Sequence, residues 1–292
     1  MTPMFYLNKN KPSVYETVAL CAAMCRERSM EPVFFEDDRA DLNEYVLDFP
    51  EDAVFLNAPD REKIDMLFVF GGDGTMLRAL DSYVKCDIPI LGINMGRLGF
   101  LLETQVDELA EALDAIVRGE YEIERRMMLS VEAELGGRTV SAFATNEVSV
   151  SRGLCQRMIA MDVFVGNTLV DHYIADGVVV ASPTGSTAYS LSAGGPIVSP
   201  DVPCFVLTPI CPHSLQSRPI VLSAGEKVVL RLNMKEMREG IQLSIDGQAV
   251  CQMRDREQVN IRRSSHDALL IRFPKERNFF SLLKDKLSQW SL

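Results

Sequence analysis

The stretch Phe68-Val69-Phe70-Gly71-Gly72-Asp73-Gly74-Thr75 sets a carboxylate inside a glycine-rich turn. An apolar strand leads into the turn, and an apolar-periodic helix leaves it through Met76, Leu77, Leu80, Tyr83 and Val84. Backbone N–H groups at such a junction point at whatever sits there and favour an anion. An acid beside a bound phosphate repels it unless the acid meets a metal ion or takes up a proton. The combination points to chemistry on a phosphate rather than to docking alone. Gly and Asp also dominate ordinary tight turns. The spacing is neither a Walker loop, since no Gly-Lys-Ser/Thr follows, nor G-x-G-x-x-G, so further residues must carry the case.

Three other segments add candidates. Asp176-Gly177 opens an apolar run that ends in Ser182-Pro183-Thr184-Gly185-Ser186-Thr187-Ala188-Tyr189-Ser190-Leu191-Ser192 and Gly194-Gly195. This reads as a buried strand, a hydroxyl-rich loop and a short helix stopped by two glycines, with donors suited to phosphate or ribose; a surface loop of Ser/Thr turns is the competing reading. Thr145-Asn146-Glu147 precedes an alternating strand. Asn both donates and accepts and ionised Glu only accepts, a set that suits the two hydroxyls of a ribose or a plain solvated strand end. Cys211-Pro212-His213-Ser214-Leu215-Gln216-Ser217-Arg218-Pro219 is a proline-punctuated loop in which His213 reads as structural.

Positioning these groups requires two kinds of scaffold. Residues 1–119 alternate strands (Met4–Leu7, Pro32–Phe35, Met66–Phe70, Ile88–Ile93) with amphipathic helices. Ser13 and Glu16 have capping-box spacing, and the helix they open carries the stripe Val14, Val18, Cys21, Ala22 and Cys25. Thr104 is the expected cap of a second helix, with stripe Val106, Leu109, Ala110, Leu113, Ile116 and Val117, stopped by Gly119. Continuous apolar strands between amphipathic helices imply a parallel sheet covered on both faces, with ligands at the carboxyl ends of its strands. The glycine-rich loops 71–74 and 94–99 fall at those ends. After residue 120 short alternating strands take over, with hairpin signals at Gly136-Gly137 and Gly166-Asn167. Asn278 is the expected N-cap of a last helix bearing Phe279, Phe280, Leu282, Leu283, Leu287 and Trp290. A lone helix cannot bury that face, so it should return to the first domain. The expected organisation is α/β plus all-β: a Rossmann-like parallel-sheet domain over 1–122 and 265–292, and a β-sandwich-like domain over 123–264.

The 292 residues carry a net charge of −11, which disfavours nucleic acid as the main partner. The chain shows no apolar run of membrane-spanning length and no secretory signal pattern, so a cytoplasmic protein is expected. Its seven cysteines lack C-x-x-C spacing and read as reduced thiols, while three histidines argue against a histidine-based triad or metal site.

Taken together, these segments resemble the NAD kinase family, of the bacterial type, over nearly the whole chain. The resemblance rests on Gly71-Gly72-Asp73-Gly74-Thr75, Leu98-Gly99-Phe100, Thr145-Asn146-Glu147, Asp176-Gly177, Pro183 to Ser190, the Cys211 to Pro219 loop and Asp246-Gly247-Gln248. It implies phosphorylation of the adenosine-ribose 2′-hydroxyl of NAD to give NADP, with ATP or polyphosphate as donor and Mg²⁺ as the divalent cation. It also implies that Asp73 is the general base and that Gly71, Gly72, Gly74 and Thr75 form the phosphate-donor loop. The NAD contacts it implies are Asp73, Gly74, Phe100, Asn146, Glu147, Arg157, Ile174, Asp176, Thr187, Ala188, Tyr189, Ser190, Leu191, Ser192 and Gln248. Ile174 departs from the arginine that many enterobacterial members carry there, a position linked to the choice between NAD and NADH. The metal ligands stay open: Asp73 serves as base, metal contact, or both. A homodimer or homotetramer built through the β-domain is implied too. A lipid kinase shares the Gly-Gly-Asp-Gly turn but needs a membrane-docking surface that this acidic chain lacks. A non-catalytic dinucleotide sensor would gain nothing from a carboxylate at the turn.

Overall fold

The computed structural model describes residues 1–47, 49–96, 99–155, 157–234, 240–274 and 279–289. In chain order the first elements are β1 (Pro3–Leu7), α1 (Ser13–Glu27), β2 (Val33–Phe35), α2 (Arg39–Tyr45), β3 (Val54–Leu56), β4 (Met66–Gly71), α3 (Asp73–Tyr83), β5 (Ile90–Asn94), β6 (Thr104–Gln105) and α4 (Leu109–Arg118). There follow β7 (Glu122–Leu135), β8 (Arg138–Ala144), β9 (Glu147–Ser151), β10 (Ile159–Val165), β11 (Thr168–Ala175), β12 (Gly177–Ala181) and α5 (Tyr189–Ser192). The chain ends with β13 (Cys204–Ile210), β14 (Ile220–Ser223), β15 (Val228–Leu232), β16 (Ile241–Ile245), β17 (Gln248–Met253), β18 (Gln258–Arg272) and α6 (Phe279–Gln289). Two compact units result: Met1–Arg125 with Ala268–Leu292, and Arg126–Asp267. The chain passes from one to the other inside β7 and again inside β18.

In the first unit the strands run parallel in the order β3-β2-β1-β4-β5, with the last residues of β18 beside β5 through Leu270 and Ile90. Every residue of β4 and β5 is buried, as expected where helices cover both faces of a parallel sheet. One face of this sheet presents Phe5, Phe34, Phe68 and Phe70 to the apolar stripes of α1 (Val14, Val18, Cys21) and α4 (Leu109, Leu113, Ile116). Phe5 stacks on Phe68 at 5.6 Å and meets Phe34 edge-on at 5.3 Å, the offset and T-shaped geometries that suit aromatic quadrupoles.

The second unit is a sandwich. One antiparallel sheet has the order β14-β13-β12-β9-β16-β17; the other holds β11-β10-β15 with the first part of β18, and the β7–β8 hairpin. Val148, Val150, Val178, Val180, Phe205 and Leu207 from the first sheet share one core with Ile159, Met161, Val163, Leu230 and Ile261 from the second. The β7–β8 turn has Gly136 at φ 58° and Gly137 at φ 75°. Two successive left-handed residues are what a two-residue type I′ hairpin needs, and glycine meets that need without strain.

Several local details differ from the sequence reading. Ser13 and Glu16 form no cap: the first N–H groups of α1 bond the carbonyls of Lys11 and Pro12 (Val14 to Lys11 2.9 Å, Tyr15 to Pro12 3.3 Å), because Pro12 already has helical φ and ψ. Thr104 is a strand residue; the cap falls one position later, where the Glu108 carboxylate accepts the Gln105 N–H at 2.9 Å. Val117 is exposed rather than part of the buried stripe. β3, β14, β17 and β18 were not foreseen as strands. Helix α6 belongs to the first unit, with the Phe279 ring 6.1 Å from that of Phe100. Asn278 and Trp290 lie outside the described residues. Among those residues no helix is long and apolar enough to cross a membrane.

Truncating Phe68, which has no exposed surface, should cost about 3–5 kcal/mol of stability in Phe68→Ala. Guanidinium unfolding checks this; a midpoint equal to wild type would show that the aromatic cluster does not carry the first unit.

Candidate functional site

The order β3-β2-β1-β4-β5 winds outward in both directions from the β1/β4 pair. Such a reversal opens a crevice at the carboxyl ends of those two strands. Three loops meet there. The Asn8 N–H donates to the Phe70 carbonyl at 3.0 Å, and the Met95 N–H to the Gly71 carbonyl at 2.7 Å. This ties the loops after β1 and β5 to the Gly71–Thr75 turn. Gly71 is required by contact, since a Cβ there would lie 2.3 Å from Thr75 Oγ1. Gly72 is extended, and its carbonyl accepts the N–H groups of Thr75 (2.8 Å) and Met76 (3.1 Å), starting α3. Gly74 is exposed on the first turn.

Asp73 opens α3, but its carboxylate faces the loop after β5. Oδ2 accepts the Phe100 N–H at 2.9 Å and Oδ1 the Leu101 N–H at 3.2 Å. A Cβ on Gly99 would fall 1.9 Å from Oδ1, so the carboxylate rests against a bare α-carbon. An ionised carboxylate has about four acceptor sites, which leaves capacity for a further proton donor. The residue that holds Asp73 Oδ1 is itself held: the Leu101 carbonyl accepts Arg272 Nη1 at 3.0 Å, and Arg272 pairs with Glu124 at 2.7 Å and Glu103 at 3.5 Å. Arg97 and Leu98 lie outside the described residues.

A second cluster forms in the second unit. Asp246, in the left-handed region at φ 47°, accepts three successive N–H groups: Thr145 (2.9 Å), Asn146 (2.8 Å) and Glu147 (3.0 Å). The Ser182 N–H bonds the Asn146 carbonyl at 2.8 Å, and a Cβ on Gly185 would sit 2.0 Å from that same oxygen. This fixes Asn146 and Glu147 against the 182–192 segment. Glu147 is buried and accepts the Tyr189 N–H. Burial, reinforced by the Asp246 charge, pushes its carboxyl up to about 7 against that hydrogen bond. Its Oε2 is buried with no partner, as are Thr145 Oγ1 and Thr184 Oγ1. The Tyr189 ring is exposed; its phenol is raised first by desolvation and then by the charges of Cys211, Asp176 and Glu147.

The remaining candidates divide. Asp176 lies at the opposite end of β12 from Ser182 and pairs with Arg152 at 2.9 Å. Thr187 Oγ1 donates to the Thr184 carbonyl at 3.2 Å; Ala188 and Leu191 are half-buried and Ser192 is exposed. Ser190 is fully buried, its hydroxyl 2.9 Å from that of Thr208 and too close to the Gly195 α-carbon to admit a Cβ. Ile174 projects from β11 into a cavity of about 480 Å³ lined also by Tyr173, His172, His213 and Arg218. Arg157 and Gln248 are exposed. Sequence reasoning missed the organising roles of Asp246 and Arg272. An Asp-Gly hairpin turn was the only local signal for the first, and nothing local marks the second.

Glu147 gives a pH signature. Its folded value of about 7 lies above the 4.5 of a free glutamate, so the folded state binds that proton more tightly. The group therefore supports stability fully below pH 4.5, and the support is lost as pH rises through about 7. Glu147→Gln removes this decline, so its stability relative to wild type should climb across that window. Parallel denaturation-versus-pH curves for the two proteins would refute the assignment.

The family model of the ATP-NAD kinase N-terminal domain matches residues 21–121, and that of the ATP-NAD kinase C-terminal domain matches residues 145–273. The NAD kinase of Desulforamulus reducens is 42% identical over 249 residues, covering 82% of this chain and 85% of its own. That of Moorella thermoacetica is 38% identical over 271 residues, covering 90% and 85%. An NAD kinase from Archaeoglobus fulgidus, solved in complex with ATP, has a TM-score of 0.73 at 26% identity over 97% of this chain and 98% of that one. Yeast NADH kinase complexed with NADH has a TM-score of 0.87 at 23% identity over 99% and 87%, a likeness of fold. With both family domains matched in order and such identity over most of its length, this chain belongs to the NAD kinase family.

Proposed function

We propose that Asp73 is the general base of this NAD kinase, that the Gly71–Thr75 turn receives the donor phosphates, and that the second unit binds NAD. The enzyme transfers the γ-phosphoryl group of ATP to the 2′-hydroxyl of the adenosine ribose of NAD, giving NADP and ADP. The observation that carries the reading is the fixed Asp73 carboxylate, held by two backbone N–H groups with acceptor capacity left over.

A ribose hydroxyl is a poor nucleophile at neutral pH. As its oxygen bonds the γ-phosphorus and the bond to the β-phosphate bridging oxygen breaks, Asp73 takes the hydroxyl proton and later releases it to solvent. A positioned base of this kind is worth about 10²–10⁴-fold in rate. The rest of phosphoryl transfer is alignment and charge neutralisation. The first-turn N–H groups of α3 meet phosphate oxygens with the positive end of the helix dipole.

Among the described residues no three His, Cys, Asp or Glu side chains gather as a metal cage. Mg²⁺ keeps its waters and binds through substrate phosphates and one or two carboxylates; Asp73 is the carboxylate this turn offers. When bound, the ion neutralises charge on the donor. Polyphosphate presents the same terminal group and is the alternative donor.

For NAD, Asn146 and the unpartnered oxygen of Glu147 suit the ribose hydroxyls, and Tyr189 offers an exposed ring for a base or ribose face. Asp176, Ile174, Arg157, Gln248 and the Thr187–Ser192 run complete the set that the family pattern supports, with Ser190 acting through its buried bond to Thr208. A cytoplasmic homodimer or homotetramer joined through the second unit belongs to the same reading. It is supported by the exposed apolar side chains Leu169 and Val221 on β11 and β14.

A coupled NADP assay with NAD, ATP and Mg²⁺ tests the base. Asp73→Asn should fold, bind NAD and lose about 100-fold or more in kcat; activity within a few-fold of wild type would remove Asp73 from the role. Gly99→Ala, whose methyl group displaces the carboxylate, should lose about 100-fold in kcat with little change in KM for NAD. Tyr189→Ala should raise KM for NAD and leave the melting temperature near wild type; an unchanged KM counts against the stacking role.

A further inference from the structure

We propose that Lys11 is a further catalytic residue of the reaction, its ammonium binding the phosphate chain of the donor. The inference rests on the reading of the Gly71–Thr75 turn as the donor site.

The segment from Phe70 to Thr75 contains no lysine or arginine, yet phosphoryl transfer places growing charge on the oxygens around the transferred group. The loop after β1 supplies a cation from elsewhere in the chain. The Lys11 N–H donates to the Asn8 carbonyl at 3.1 Å, and the Asn8 N–H to that of Phe70 at 3.0 Å, anchoring this loop to the end of β4. The Lys11 side chain then reaches across to the loop after β5. Its Nζ donates to the Met95 carbonyl at 3.2 Å, and a Cβ built on Gly96 would sit 3.2 Å from it. Met95 in turn donates its N–H to Gly71 at 2.7 Å. The ammonium therefore sits against the carbonyl of Met95, the residue whose N–H bonds the glycine turn, at the reversal point between β1 and β4.

Among the described residues no carboxylate pairs with Lys11, although the side chain is half-buried. Its near neighbour Lys9 shows the contrast, with Nζ 2.8 Å from Asp38 and 3.2 Å from Asp41. An ammonium has three donors, and Lys11 uses one of them on a neutral carbonyl. A half-buried cation without a counter-ion, where helix and loop N–H groups also favour negative charge, is completed by an anion. Arg78, by contrast, donates to Thr75 Oγ1 at 3.4 Å and lies a full turn into α3.

The alternative is that Lys11 only ties two loops together. Lys11→Met and Lys11→Arg separate the two roles by steady-state kinetics with ATP and NAD varied in turn. If Lys11 binds the donor, Lys11→Met raises KM for ATP about tenfold or more, leaves KM for NAD within about twofold, and melts near wild type, while Lys11→Arg recovers most of the loss. Calorimetric titration of Mg·ATP into Asp73→Asn protein, with and without Lys11→Met, should show the same fold weakening without turnover. An ATP KM within about twofold of wild type, or a loss that tracks a lowered melting temperature and is not rescued by arginine, overturns the proposal. Turnover retained by Asp73→Asn would instead sink the general-base reading, while the KM comparison still decides Lys11.

Discussion

Two peptide N–H groups holding one carboxylate set the terms for the first unit. Asp73 must sit at the first residue of α3 and still accept from Phe100 and Leu101. The chain therefore has to leave β5 and pass close enough to α3 that only glycine fits at the point of contact, residue 99. The Leu101 carbonyl is then turned outward to Arg272, and Arg272 is balanced by Glu103 and Glu124. Residues from four separate stretches thus determine the direction of one side chain. Backbone donors serve this purpose well, because a peptide cannot swing away as a side chain can.

The second unit uses an aspartate in the opposite sense. Asp246 spends its oxygens on three consecutive N–H groups, which makes it a clasp for the Thr145–Glu147 corner rather than a reactive group. The cost of such a corner falls on Glu147. It lies beside the Asp246 charge in a buried place with one oxygen unpartnered. Buried polar atoms without partners are uncommon in folded proteins, and they concentrate here next to a hydroxyl-rich turn.

Much of this was legible in the sequence because residue type alone carried it. Continuous apolar runs between amphipathic helices gave the parallel strands, and Gly-Gly and Gly-Asn between alternating runs gave the hairpins. The glycine–aspartate turn was visible because it needs both the missing Cβ and the acid. What escaped depended on tertiary contact. Residues 258–272 change burial pattern midway, from one alternating face to burial on successive residues, so no single period describes them. The Ser13–Glu16 pair had the right spacing for a box, but Pro12 had already taken helical angles and the carbonyls upstream met the free N–H groups. Ser190 looked like one more hydroxyl in a polar loop until its bond to Thr208 placed it inside. Arg272 sits in the last strand with nothing nearby in sequence to single it out.

Because β18 supplies its final residues to the first unit while its opening residues pair with β15, the α/β sheet is finished only after Leu270 has been made, behind every residue of the second unit. Until Leu270 arrives, the outer side of β5 at Ile90 lacks this neighbour, and unpaired strand edges invite wrong partners. Arg272 emerges at the same moment. The clasp around Asp73 is accordingly assembled only after the second unit has been made, and a nascent chain stopped short of Arg272 would be caught before the Asp73 carboxylate is fixed in place.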